Sequence, residues 1–133
     1  MNEQIELELK NLLNNRYSTS ESTRGNYARG EDTYDPILSK AVVFPETNEE
    51  VSQILRLCNK HKIPVVPFGT GTSLEGNVVG NEKGITISLE KMNKVLSVNA
   101  EDFDCRVQAC VTKEQLNEYL REDGVFFPID PGA

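Results

Sequence analysis

Residues Pro67 to Gly76 read PFGTGTSLEG, and they carry the types and spacing in this chain that could do chemistry. Gly69, Gly71 and Gly76 have no Cβ, so ligand oxygens can approach the main chain closely and the backbone can take a positive φ. Successive N–H groups in such a turn form an anion-binding concavity. Thr70, Thr72 and Ser73 add hydroxyl donors. The stretch suits a phosphate or pyrophosphate without a basic residue of its own, since the nearest lysines, Lys62 and Lys83, lie outside it. A tight turn with no ligand has the same composition, so these residues alone leave both readings open.

Two familiar nucleotide loops can be tested against it. A Walker A loop needs G-x-x-x-x-G-K-[ST], with the lysine neutralising phosphate. Gly71 and Gly76 have the spacing, but Asn77 and Val78 follow, which argues against an ATPase or GTPase. A dinucleotide fingerprint needs G-x-G-x-x-G opening a helix. Gly69 and Gly71 fit, yet Leu74 stands at the third glycine and Asn77–Lys83 does not read as a helix.

The elements around the loop must hold it in place. Residues 2–14 read as a helix with Ile5, Leu9, Leu12 and Leu13 on one stripe. Residues 17–40 are polar and aperiodic and are expected to be a loop. AVVFP reads as a strand stopped by Pro45. Thr47 and Glu50 make a capping box, and the helix after it is expected to bury Val51, Ile54, Leu55 and Cys58. IPVVPF, residues 63–68, is the next strand, and its unbroken apolar run suits cover on both faces. Strand, helix and strand in so short a span predict a βαβ unit with a parallel pair. The glycine-rich loop then follows the C-terminal end of a strand, where ligands bind in open α/β sheets. Residues 84–92 read as a third strand, with two more at Val95–Asn99 and Cys105–Val111 joined by an acidic turn. Thr112 and Gln115 form a second capping box, before a helix that buries Leu116, Tyr119 and Leu120 and stops at Gly124.

Bulk properties set limits. The 133 residues are the size of one domain of roughly 100–150 residues. A net charge of -7, with basic residues scattered, argues against a nucleic-acid partner. No apolar stretch approaches the roughly 18–20 residues of a membrane span, and the acidic N-terminus does not read as a signal peptide. Cys58, Cys105 and Cys110 lack C-x-x-C spacing and are read as reduced thiols of a cytoplasmic protein, with no metal site. His61, the one histidine, reads as a solvated residue at a basic helix end. Asp123 and Asp130 read as turn residues rather than catalysts. The chain halts within a Pro-Gly turn beside the apolar Phe126, Phe127 and Ile129. It is therefore expected to be part of something longer, and those apolar residues could drive self-association.

The run AVVFPETNEEVSQIL…IPVVPFGTGTSLEGNVVG, continued by SLEKMNKVLSVNAEDFDCRVQACVTKEQLNEYLREDGVFFPIDPGA, resembles the vanillyl-alcohol oxidase type (PCMH-type) FAD-binding oxidoreductases. The nearest branch is the D-lactate dehydrogenase and glycolate oxidase FAD-subunit group. The likeness covers about residues 30–133. It implies an α+β fold, with an α/β-type N-terminal subdomain holding a parallel βαβ unit, further strands and flanking helices. Residues 1–40 would be an N-terminal helix and polar loop, and residues 41–133 the subdomain, incomplete at its C-terminus. The resemblance implies that Phe68 to Ser73, following Pro67, hold the FAD pyrophosphate, with Leu74 and Gly76 shaping the turn. Pro131, Gly132 and Ala133 match the start of a second loop along the flavin. Thr72 stands where some relatives carry a flavin-linking histidine, which implies noncovalent FAD. The implied activity is oxidation of a small 2-hydroxy acid by the whole protein, with no catalytic residue assignable in this chain. The contrasting reading is a non-enzymatic phosphate-binding or structural α/β module that binds no flavin.

Overall fold

The computed structural model describes residues 1–130 and Gly132, in two compact units, Met1–Lys91 and Met92–Ala133. The first unit opens with α1 (Glu3–Leu13). Asn2 caps it, its Oδ1 accepting the Ile5 N–H at 3.1 Å. Ile5, Leu9 and Leu13 are buried as their spacing predicts, with Leu12 at the margin of the core.

The stretch read as a loop holds two short elements, β1 (Tyr17–Ser18) and α2 (Glu21–Asn26). Two strand residues cannot display a period. α2 is a six-residue helix set by a local cap, with Ser20 Oγ accepting the Thr23 N–H at 3.2 Å. Then come β2 (Ala41–Val43), α3 (Asn48–Lys60), β3 (Val65–Phe68) and β4 (Ile85–Ser88).

The sheet order is β1-β2-β4-β3, with β1 antiparallel to β2 and the other pairings parallel. β2 and β3 are therefore parallel but not neighbours, because β4 lies between them and pairs with both. Every residue of β4 is buried, so β4 is the strand covered on both faces. β3 is an edge of the described sheet, with Val65 and Val66 half-buried and Pro67 exposed. Pro67 has no N–H to give to a ladder, which suits it to an edge and not to a strand paired on both sides.

One sheet face presents Ala41, Val43, Ile85 and Ile87 to a core shared with Leu9 and Leu13 of α1 and Ile54 and Cys58 of α3. On α3 the buried arc runs through Ile54 and Cys58 and is completed by Leu57 and Val51, whereas Leu55 is 45% exposed. A residue one step from Ile54 is turned about 100° around the helix, which carries Leu55 off that arc. Cys58 lies deep enough that burial pushes its thiol up to about 11. None of the three cysteines is in a disulfide. His61 closes α3, its N–H donating to Leu57 O at 3.2 Å. The residue is half-buried rather than fully solvated, and its Nε2 is buried without a hydrogen-bond partner among the described residues.

Thr47 caps α3 through the Glu50 N–H at 3.2 Å, but the Glu50 carboxylate does more than complete a capping box. It accepts the Glu46 N–H at 2.7 Å and takes a two-point contact from Arg16, at 2.5 and 2.7 Å. The Arg16 guanidinium, donating to it, holds the Glu50 carboxyl below its ordinary value. A depressed carboxyl stabilises the fold above its unfolded value and loses that contribution as pH falls through the lower folded value. Acidification below about pH 5 should therefore destabilise the protein. Glu50→Gln should melt lower at pH 7 and show a shallower loss on acidification, read from thermal melts at several pH values. An identical pH slope for both proteins would count against the pair.

The second unit holds the two strands expected on either side of an acidic turn, β5 (Val95–Asn99) and β6 (Asp104–Val107), and they pair antiparallel as a hairpin. β6 is shorter than expected because the chain turns away after it, with the Cys110 N–H donating to Met92 O and the Val111 N–H to Gln108 O. α4 (Lys113–Leu120) is capped by Thr112 and buries Leu116 and Leu120. Tyr119 is 56% exposed, contrary to expectation, because it lies outside the arc those leucines define. Gly124 ends the following turn at φ 70°, the left-handed conformation a glycine stop requires.

Candidate functional site

β3 ends at Phe68, and its spatial neighbour β4 begins at Ile85 in the same direction, so the chain must travel back along the sheet between them. A helix usually makes such a crossover. Here residues 69–84 make it with neither helix nor strand. A helix would bond its N–H groups internally. In this crossover no backbone N–H from Gly69 to Val78 has an acceptor among the described residues.

Three carbonyls along the same stretch are tied down. Phe68 O accepts the Leu89 N–H at 3.0 Å, Gly71 O accepts the Glu31 N–H at 3.0 Å, and Gly76 O accepts the Val79 N–H at 3.2 Å. The loop is thus fixed by its acceptors while its donors stay available. Unpaired N–H groups gathered at a strand's C-terminal end are what an anion needs.

The predicted residues fall along this loop as follows. Pro67 and Phe68 end β3, the first exposed and the second buried. Gly69 and Thr70 are exposed, and Gly71, Thr72 and Ser73 are half-buried. The Thr70 and Thr72 hydroxyl oxygens lie 3.4 Å apart. Leu74 is 68% exposed. Gly71 and Gly76 have φ of 75° and 74°, the left-handed region that glycine enters freely. A Cβ on Gly71 would come within 2.7 Å of Phe68 Cζ, and one on Gly76 within 2.7 Å of the Tyr34 ring.

Sequence reasoning missed the segment beneath the loop. The Tyr27 ring meets the rings of Phe44 and Phe68 edge-on, with centroids 5.5 and 5.0 Å away, and its hydroxyl donates to Glu90 Oε2 at 2.8 Å. Burial first, and then the Glu90 carboxylate, push this phenol up to about 12. Ala28 O accepts the N–H groups of Ile37 and Gly80. Gly30 is pressed against Gly71 and Val78. The glycine and turn-forming residues of NYARGEDTYD were the available signal, but they carry no periodicity.

In the second unit Gly132 is exposed, with φ 79°, and its N–H donates to Asp130 Oδ1 at 3.1 Å. Lys113 Nζ lies 3.7 Å from the same carboxylate oxygen, so Asp130 is engaged in a turn and an ion pair. Asp123 lies in the turn before Gly124. Pro131 and Ala133 lie outside the described residues. No group of three His, Cys, Asp or Glu residues among the described residues could hold a metal ion. No helix among them is long and apolar enough to cross a membrane.

The first unit is a mixed fold with a parallel sheet, and a loop whose N–H donors lack acceptors among the described residues follows the C-terminal end of β3, where ligands bind in open α/β sheets. Known proteins make this specific. Residues 39–133 match the family described as FAD binding domain. Over 116 residues the chain is 42% identical to the Danio rerio protein named "Probable D-lactate dehydrogenase, mitochondrial", covering 87% of this chain and 23% of that protein. Over 93 residues it is 33% identical to "Glycolate oxidase subunit GlcD" of Bacillus subtilis (strain 168), covering 70% of this chain and 20% of that one. The fold is shared with a solved alkyldihydroxyacetonephosphate synthase, at TM-score 0.89 and 22% identity, over 98% of this chain and 27% of the other.

The chain belongs to the FAD binding domain family, and FAD is its cofactor. It spans less than a quarter of the length of these two relatives. The loop fits the cofactor's diphosphate chemically, with backbone donors lacking acceptors among the described residues, two glycines at positive φ and three hydroxyl side chains.

Proposed function

We propose that residues Pro67 to Gly76 hold the pyrophosphate of noncovalently bound FAD in an enzyme that oxidises the CH–OH group of a 2-hydroxy acid of glycolate or D-lactate type. The observation that carries the binding role is the run of N–H groups from Gly69 to Val78 without acceptors among the described residues. Bound FAD supplies the redox chemistry, while the protein supplies binding and orientation. Thr72, a hydroxyl where a linking histidine would stand, supports a noncovalent cofactor. Pro131, Gly132 and Ala133 are proposed as the start of a second loop along the flavin. Residues 41–133 are proposed as the N-terminal subdomain, led by the helix and polar segment of residues 1–40.

The substrate class rests on the names of the two relatives. No residue of this chain is proposed as catalytic base. Asp123 and Asp130 are occupied in turns, and His61 closes α3. Three cysteines outside any disulfide suit a reducing compartment, and the proposed one is the cytoplasm; "mitochondrial" in the relative's name belongs to that protein.

The test is a titration of FAD into the purified 133-residue chain and into a longer protein that carries it, read by flavin absorbance and fluorescence. The longer protein should retain FAD, and the chain alone should bind weakly or not at all, because one loop must offset the entropy of association with few contacts. Micromolar retention by the chain alone would overturn the expectation that the loop needs the rest of a longer protein to hold FAD. A flavin-free longer protein that takes up no FAD would remove the binding role.

A further inference from the structure

We infer that Gly30 is a positioning residue for the cofactor loop: the strap Ala28–Asp32 draws the loop's carbonyls to one side and so turns its N–H groups to the other. The inference rests on the pyrophosphate reading above and adds what sets the direction of the donors. The Glu31 N–H donates to Gly71 O at 3.0 Å. A Cβ placed on Gly30 would lie 2.6 Å from Gly71 O and 3.0 Å from Ser73 O, so both carbonyls face the strap. Among the described residues there is no cis peptide bond. In a planar trans peptide the N–H points opposite to the preceding C=O. The Thr72 and Leu74 N–H groups therefore point away from the strap, and neither has an acceptor among the described residues. Two alternate donors are thus presented on one face because the carbonyls before them are held on the other.

The strap is itself fixed. Asp32 accepts the Gly30 N–H at 3.2 Å and the Tyr34 N–H at 3.0 Å, and Ala28 O accepts the Gly80 N–H at 3.0 Å. Gly30 has no room for a side chain, since Val78 Cγ2 would stand 2.7 Å from its Cβ in addition to the two carbonyls. Backbone oxygens cannot rotate aside as a side-chain tip can. A methyl group at Gly30 must therefore push the Gly71–Ser73 backbone and swing the donors of Thr72 and Leu74.

The experiment uses the longer protein that carries this chain, stripped of flavin, with FAD affinity read by quenching of flavin fluorescence and stability by thermal melting of the apoprotein. Gly30→Ala should weaken FAD binding at least tenfold. Adding Val78→Ala removes the Cγ2 contact but leaves both carbonyl contacts. The double variant should melt near the wild type yet bind FAD as weakly as Gly30→Ala. FAD affinity within twofold of wild type in Gly30→Ala, or its recovery in the double variant, would overturn the inference. So would a double variant that does not fold, which would place Gly30 in the scaffold rather than under the cradle. Gly71→Val separates the two readings. If it loses flavin while Gly30→Ala keeps it, only the strap's role falls; if it keeps flavin, the pyrophosphate site falls and the strap's role with it.

Discussion

Gly71→Val is expected to abolish FAD binding by the protein that carries this chain, weakening it about a hundredfold or more, while the apoprotein still folds. Two independent effects converge at this residue. Its φ is 75°, where a β-branched side chain is strained by roughly 1–3 kcal/mol. Its Cβ would also stand 2.7 Å from Phe68 Cζ. The Phe68 ring cannot simply withdraw, because Tyr27 packs edge-on against it and is held in turn by Glu90. Relief requires the Thr70–Thr72 peptide planes to rotate, which breaks the Glu31 contact and redirects the donors. A loss near 3 kcal/mol corresponds to about a hundredfold in affinity. The fold survives because Gly71 lies outside every strand and helix and outside the core cluster. Gly71→Ala, with the same φ but less bulk, should fall between the two proteins. The measurement is flavin content after purification, with an FAD titration of the stripped protein. Undiminished flavin in Gly71→Val would mean that the pyrophosphate lies elsewhere.

The loop's turns were legible in the sequence from residue types: Gly71 and Gly76 stand where φ is positive and a Cβ has no room, among hydroxyl side chains and without a lysine. The helix starts were legible for a similar local reason. Thr47 and Thr112 cap the helices they precede, each through the N–H three residues on. The second half of each capping box was not readable, because tertiary partners claim those side chains. Glu50 goes to Arg16 and Gln115 to Asn93 O. Strand neighbours were also illegible. A parallel strand carries no mark of which strand lies beside it, so the insertion of β4 between β2 and β3 cannot be read from their own residues. The strap escaped for a further reason. Its contacts with the loop are made largely by backbone atoms, Glu31 N–H to Gly71 O and Ala28 O to the Gly80 N–H, and backbone contacts leave no side-chain pattern. The glycine that permits them, Gly30, looks like any loop glycine.

Ile54→Ala should be the most damaging single truncation for stability on α3, and Leu55→Ala beside it nearly silent. Periodicity places both on one apolar stripe, yet Ile54 is fully buried and Leu55 is 45% exposed. Ile54 fills the core shared by Leu9 and Leu13 of α1 and the sheet residues Val43 and Ile85. Removing its outer carbons loses their burial and leaves a cavity that α1 and a four-stranded sheet can close only in part. The cost is about 2–5 kcal/mol, a large share of the roughly 5–15 kcal/mol that holds a domain folded. The melting temperature should fall by on the order of 10–20 °C. Leu55→Ala, off that arc, should stay within about 0.5 kcal/mol of wild type. Well below its melting point Ile54→Ala should still bind FAD within about twofold of wild type, since the loop is fixed by Phe68, Gly71 and the strap rather than by α3. That gives opposite signatures for scaffold and cradle: Ile54→Ala lowers the melt and spares flavin, and Gly71→Val spares the fold and loses flavin. Loss of flavin by folded Ile54→Ala to the extent seen for Gly71→Val would show that the core under α3 also sets the loop's donors.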